Sequence, residues 1–175
     1  MTAVRVVTTS PVEARRLPEE RPGRSAGPSA GAGIASLYQD MIIEHGRRPR
    51  NFRTLADATR TVEAVNPVCG DRVTLSVQLS DDVIADVAFL GDGCTISQAS
   101  ASLMTMAVKG LHPEDALRLF DRVHTMLTNQ SAGEESLVEV GKLAVLSGVW
   151  EYPARVKCAS LAWQALRNAL ETDEV

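Results

Sequence analysis

Apolar positions along this chain change period twice. In "IASLYQDMIIEHG", Ile34, Leu37, Tyr38, Met41, Ile42 and His45 recur at helical spacing, which predicts a helix that Gly46 stops. After "TVEAVNP" the period falls to two. Val73, Leu75, Val77 and Leu79 alternate with polar residues in "RVTLSVQLS", and "VIADVAFLG" alternates again through Ile84, Val87 and Phe89. Asp81 and Asp82 predict a short turn between those two strands. Three consecutive strands with short links predict an antiparallel meander with one solvated face. Helical spacing returns at Thr95, where Ile96, Ala99, Leu103, Met106 and Ala107 share a face that ends at Gly110. Pro113 in a first turn opens "HPEDALRLFDRVHTML", with Ala116, Leu119, Phe120, Val123 and Leu127 in step. "SAGEE" predicts a loop, "SLVEVGKLAVL" a helix and "ARVKCASLAWQALRNAL" the last helix. Strands first and helices afterwards predict an α+β fold: a three-stranded antiparallel sheet packed on one face by helices.

Residues 1–33 carry no such pattern. They hold Pro11, Pro18, Pro22 and Pro28, Gly23, Gly27, Gly31 and Gly33, and no aromatic residue. Five arginines against three glutamates give them +2, so the rest of the chain carries −6 of the total −4. Too little apolar surface is present to offset the entropy of ordering. The expectation is a disordered tail over 1–33 and one folded domain over 34–172. The whole chain, 175 residues with 45% apolar and 23% charged, is large enough to bury a core. The acidic balance and the lack of a basic stripe with interleaved aromatics predict no nucleic-acid partner. No apolar run approaches the ~18 residues of a membrane span, and no basic end precedes an apolar core as in a secretory leader. The expected location is the cytoplasm, with no membrane partner.

The three cysteines change the picture. Cys69, Cys94 and Cys158 are odd in number, and a reducing compartment would not keep disulfides closed. The plain alternative is three buried thiols serving as small core residues. Each, however, is predicted at a junction. Cys69 and Asp71 share the turn "NPVCGD" between the first two strands, Cys94 joins the third strand to a helix, and Cys158 falls in the first turn of the last helix. Element ends are where a scaffold presents functional groups. A helix start favours a thiolate, and Arg155 and Lys157 add positive charge near Cys158. Three thiolates in one pocket repel unless a cation holds them. With Asp71 they form a three-sulfur, one-oxygen set suited to a tetrahedral ion such as zinc.

The histidines lack ligand spacing. His45 is expected to pack at a helix end, His112 to start a helix and His124 to be exposed. Arg47, Arg48, Arg50 and Arg53 around Pro49 predict a solvated basic loop, with a docking patch for an acidic partner as the sharper alternative.

"NPVCGD", "FLGDGCTIS" followed by "ASASLMT", and "YPARVKCASLAW" resemble, in order, the three cysteine motifs of the U-type iron–sulfur assembly proteins. "HGRRPRNF" is similar to their segment after the first helix, and the resemblance spans Ser36 to Leu170. The long interval from Cys94 to Cys158, and Lys157 where the IscU scaffold branch carries a histidine ligand, resemble the SufU branch. That resemblance implies zinc held by Cys69, Asp71, Cys94 and Cys158. It also implies a sulfurtransferase-like role in which Cys69 accepts persulfide sulfur from a SufS-type cysteine desulfurase, with Arg155 as the basic residue beside the site. Downstream iron–sulfur assembly machinery would then take the sulfur. The alternatives are a scaffold for iron or a labile [2Fe–2S] cluster on the same ligands, and a structural zinc module without transfer chemistry.

Overall fold

The computed structural model describes residues 3–6, 34–129 and 134–171. The predicted meander is present as β2 (Arg60–Val65), β3 (Arg72–Ser80) and β4 (Val83–Asp92), all antiparallel. A further strand, β1 (Ala3–Val6), pairs antiparallel with the outer edge of β2, so the order is β1-β2-β3-β4. The sequence predicts no structure there. The rest of the expected tail lies outside the described residues.

Period-two burial follows the alternation. Val62 and Ala64 of β2, Val73, Leu75 and Val77 of β3, and Val87 and Phe89 of β4 are buried on one face. Thr61 and Ser76 meet by their hydroxyls on the other. Asp81 and Asp82 take φ of 50° and 60°, the paired left-handed residues of a two-residue hairpin turn. His112 donates from Nδ1 to the Asp82 carbonyl at 2.8 Å and so moors that turn.

The helices are α1 (Ile34–Arg47), α2 (Thr95–Val108), α3 (Pro113–Thr128), α4 (Glu134–Val140) and α5 (Pro153–Glu171), of which α2 and α5 pack on the buried face and the others pack on helices. α5 lies across β2 and β3, while α2 lies between α1 and α5 and against β4. Small residues on α2 let the helices approach, and Ser100 Oγ donates to the Ala159 carbonyl of α5 at 2.6 Å. Trp163, Phe89, Leu75 and Met104 fill the centre of the core. Met106 departs from its predicted face and is 45% exposed. The predicted single helix "SLVEVGKLAVL" breaks at Gly141, which takes φ +55°, and continues as a 3-10 segment over Gly141–Glu151. There Leu143, Ala144, Val145 and Leu146 are all buried. A run buried on every side cannot keep the one-sided pattern of a surface α-helix.

The basic loop after α1 is a strap more than a free patch. The Phe89 amide donates to the Asn51 carbonyl and the Arg53 amide to the Phe89 carbonyl, and Phe52 meets Phe89 edge to face at 5.2 Å. Arg50 pairs with Glu44 and Arg53 with Asp86. Beneath the strap, His45 is buried with Nδ1 2.7 Å from Ser102 Oγ, which also accepts the Arg50 amide. With that acceptance the Ser102 hydroxyl is free to donate to a neutral His45 ring.

Burial, reinforced by the Arg50 charge, holds the His45 pKa below its ordinary 6.5. Below about pH 6.5 the unfolded chain therefore takes up a proton that the native state refuses. Stability should fall as pH drops through that value toward the lower folded pKa. Melting curves between about pH 7.5 and about pH 5, which bracket the free imidazole range, should show a steeper loss for the wild type than for H45Q, and parallel curves would remove His45 as the cause.

Candidate metal centre

The turn between β2 and β3 is closed by its own backbone. The Asn66 amide donates to the Asp71 carbonyl and the Gly70 amide to the Asn66 carbonyl, each at 2.8 Å, while Asn66 Oδ1 accepts the Val68 amide at 3.1 Å. Gly70 takes φ +80°, a conformation that side chains resist, and this lets the chain reverse immediately after Cys69. Cys69 is thereby left exposed at the tip, and Asp71 is drawn back to 7% exposure at the foot of β3.

Cys94 is the N-cap of α2. Its Sγ accepts the Ser97 amide at 3.4 Å, as a serine cap would, and its own amide donates to Asp71 Oδ1 at 3.3 Å. The approach to this cap is tight. A Cβ on Gly91 would stand 2.1 Å from the Arg72 carbonyl oxygen, and one on Gly93 would stand 3.2 Å from Asp71 Cγ. The glycines of "GDGC" are thus what lets β4 and the helix start close over the carboxylate.

Cys158 differs from its predicted position. It lies in the second turn of α5, after Pro153, and is buried, with Sγ directed at the Ala154 carbonyl at 3.6 Å. Helix-start amides do not reach it. Burial instead pushes its thiol far above the usual thiol range, with the Cys94 charge and the neighbouring Cys69, Cys94 and Asp71 side chains acting in the same direction. Its sulfur is 3.7 Å from that of Cys69.

Ligand atoms of Cys69, Asp71 and Cys158 all lie within 4.8 Å of one another. Cys94 stands outside that closest set, its sulfur drawn to the Ser97 amide while remaining in electrostatic contact with Cys158. A divalent cation fits these donors. Asp71 Oδ2 is buried with no hydrogen-bond partner among the described residues, an acceptor left open on the side of the thiols. Soft sulfurs with one hard oxygen suit a borderline metal.

Around the thiols opens a pocket of 1080 Å³, walled by Tyr38, Ile42 and Ile43 of α1 and by Val149 and Tyr152. Arg155 stands exposed at its rim, its guanidinium 4.6 Å over the Tyr152 ring, and Lys157 is exposed nearby. The three histidines lie elsewhere: His45 under the strap, His112 on the β3–β4 turn and His124 stacked on Phe120. Sequence reasoning passed over Asn66 and Tyr152. An asparagine opening a Pro-containing turn is the usual sign of a side chain that closes its own loop, and that signal was available.

An antiparallel meander backed by helices, with thiols gathered at one end of the sheet, defines a metal-binding thiolate scaffold. The chain belongs to the NifU-like N terminal domain family, whose pattern it matches over residues 37–171. It is 39% identical over 146 residues to the zinc-dependent sulfurtransferase SufU of Bacillus subtilis, covering 83% of this chain and 97% of that one. It is 42% identical over 135 residues to the iron–sulfur cluster assembly scaffold protein IscU of Streptococcus pyogenes, covering 77% and 83%. Among solved structures, a putative iron–sulfur cluster assembly scaffold protein for the SUF system from Fervidobacterium islandicum superposes with a TM-score of 0.67 at 31% identity. That likeness covers 79% of this chain and all of the other.

Two outcomes follow from this geometry. Chelator-stripped protein exposed to mild oxidant should join Cys69 to Cys158 in disulfide mapping, because their sulfurs are already in contact while Cys94 is held by its cap. A Cys94-containing disulfide as the main product would contradict the arrangement. G93A should lower metal retention more than it lowers melting temperature, since the added carbon presses on Ser97, whose amide is capped by Cys94, and on Asp71, and equal retention would show that both tolerate displacement.

Proposed function

We propose that this chain is a zinc-dependent sulfur carrier of iron–sulfur cluster assembly. Cys69 takes the terminal sulfur of a persulfide from a pyridoxal-phosphate cysteine desulfurase of the SufS type and passes it to downstream iron–sulfur assembly machinery. The observation that carries this reading is the unequal anchoring of the sulfurs. Cys158 is buried in a helix, and Cys94, though exposed like Cys69, is fixed as a helix cap, while Cys69 sits at the tip of a glycine turn. A structural site has no use for one loosely held ligand at the mouth of an open pocket. The SufU relative, matched over nearly its whole length, bears a name with this chemistry in it.

Zinc, when bound by Cys69, Asp71, Cys94 and Cys158, would keep the sulfurs deprotonated and cancel their mutual repulsion. The steps belong to the chain. The Cys69 turn swings its thiolate outward while Asp71 and the other two cysteines stay fixed to the sheet and helices. That thiolate attacks the outer sulfur of the donor's persulfide. A new S–S bond forms on Cys69, the donor's S–S bond breaks, and the donor cysteine leaves as a thiolate. The proton stays with the transferred sulfur, and no electrons are gained or lost overall. Arg155, held over Tyr152 at the rim, presents positive charge to the donor cysteine as it leaves as a thiolate. The apolar pocket walls give the partner a surface on which to exclude water. Residues 34–172 form the working domain. No helix among the described residues is long and apolar enough to cross a membrane, and we place the protein in the cytoplasm.

A second reading is a scaffold for a labile [2Fe–2S] cluster on the same donors. The IscU scaffold relative at 42% identity favours it, and an oxygen ligand suits a cluster that must be handed on. Lys157, in place of the histidine ligand expected of that branch, weighs against it.

Protein purified without added iron should contain about one zinc per chain and no visible absorption band; a brown protein would favour the scaffold. Mixed with a SufS-type desulfurase and cysteine, the wild type should speed alanine release, and C69S should abolish that stimulation while leaving the fold intact. Stimulation undiminished in C69S would refute the carrier role. D71A should bind zinc at least tenfold more weakly, the usual scale for losing a ligand or its immediate support, as read by competition with a chromogenic chelator.

A further inference from the structure

Asn66 is 3% exposed, and its side chain is used on one side only. Oδ1 accepts the Val68 amide and closes the turn, whereas Nδ2 is shut from solvent with no acceptor among the described residues. Buried donors without partners are rare in folded proteins. The other orphan nearby, Asp71 Oδ2, is not its partner, since both remain unpaired. Asn66 lines the same pocket as Cys69, Cys94 and Cys158. An amide N–H cannot ligate a cation and requires an electron-rich acceptor. No sulfur is bonded to Nδ2 in this structure either; of the acceptors lining the pocket, Gln39, Glu151 and the three sulfurs among them, the one on Asn66's own hydrogen-bonded turn is Cys69.

We propose that Asn66 Nδ2 donates a hydrogen bond to the sulfur carried on Cys69, first as the thiolate and then as the terminal sulfur of the persulfide. The persulfide half of this inference rests on the sulfur-carrier reading, and the thiolate half stands without it. One carboxamide then does two things. Its oxygen fixes the loop, and its nitrogen stabilises negative charge on the sulfur that the loop presents, so the transferred atom finds a donor already oriented when it arrives. Every donor spent on the loop is a backbone amide, which leaves the side-chain N–H as the group with no structural task.

The test uses two variants that keep an acceptor for the Val68 amide. In N66S the hydroxyl replaces Oδ1 in a related turn, and the donor into the pocket is lost. In N66D the turn oxygen stays, and a second acceptor faces the sulfur where the donor had been. Both are loaded with cobalt as a spectroscopic probe, and both are mixed as the zinc proteins with a SufS-type desulfurase and cysteine. At equal metal content, the thiolate-to-cobalt band should move to longer wavelength in N66S, because a sulfur without its donor is more easily oxidised. Persulfide on Cys69, measured as the gain of one sulfur atom by intact mass, should fall about tenfold in N66S, the scale of one hydrogen bond to a charged group. It should fall further in N66D. An unmoved band together with undiminished persulfide in N66S overturns the proposal. So does a loss of metal that merely tracks a lower melting temperature in both variants, which assigns Asn66 to turn closure alone. A wild type that acquires no persulfide sinks the carrier reading, and the cobalt band then still decides the hydrogen bond.

Discussion

Crowding of like charge is the constraint on which this molecule turns. Two unit charges about 4 Å apart near a protein surface repel by about 4 kcal/mol, and here three thiols and a carboxyl share one end of a sheet. For Cys158 burial comes first, and the neighbouring Cys94 charge adds to it, so that its thiol resists ionising. With a cation the same proximity becomes attraction. The site is therefore uneven: its geometry suits an ion, while burial penalises charge on Cys158 and leaves Cys69 and Cys94 exposed.

The scaffold answers this by distributing rigidity unevenly. Asp71 enters a strand paired on both sides and receives the Cys94 amide. Cys94 satisfies the start of α2, and Cys158 is locked where Ser100 ties α2 to α5. Cys69 has only the turn. A ligand set graded from fixed to loose can release one member without dismantling the others, and that property separates a carrier from a structural knot.

Much of this was legible in the residues. Alternation in "RVTLSVQLS" and "VIADVAFLG" marked β3 and β4 because one face of each is buried and the other wet. The turn containing Cys69 and Asp71 and the capping place of Cys94 followed from glycines and from where the period changes. Cys158 was misplaced by a turn of helix, since Pro153 opens α5 and the cysteine lies five residues beyond it; the supposed help from helix-start amides does not apply. The 3-10 segment was read as an α-helix because a fully buried run such as "LAVL" carries no period to distinguish the two. The turn-closing oxygen of Asn66 is legible in "NPVCGD", whereas its partnerless nitrogen is a property of three-dimensional surroundings. The basic run "RRPR" was read as solvated, and its neighbours Asn51 and Phe52 prove to be pinned to β4 by backbone bonds that charge patterning does not foretell.

That pinning bears on how the protein survives in a crowded solution with thiols on view. On the far side of the sheet, β1 covers the flank of β2. On the near side, the outer rim of β4 is occupied at Phe89 by Asn51 and Arg53 and at Ile84 by Gly110 and Leu111. Bare strand flanks are templates on which other chains polymerise. Here the rim of β4 is clothed at those points, and on the other side the open flank passes from β2 to β1, whose four residues are a short template for strand-to-strand polymerisation.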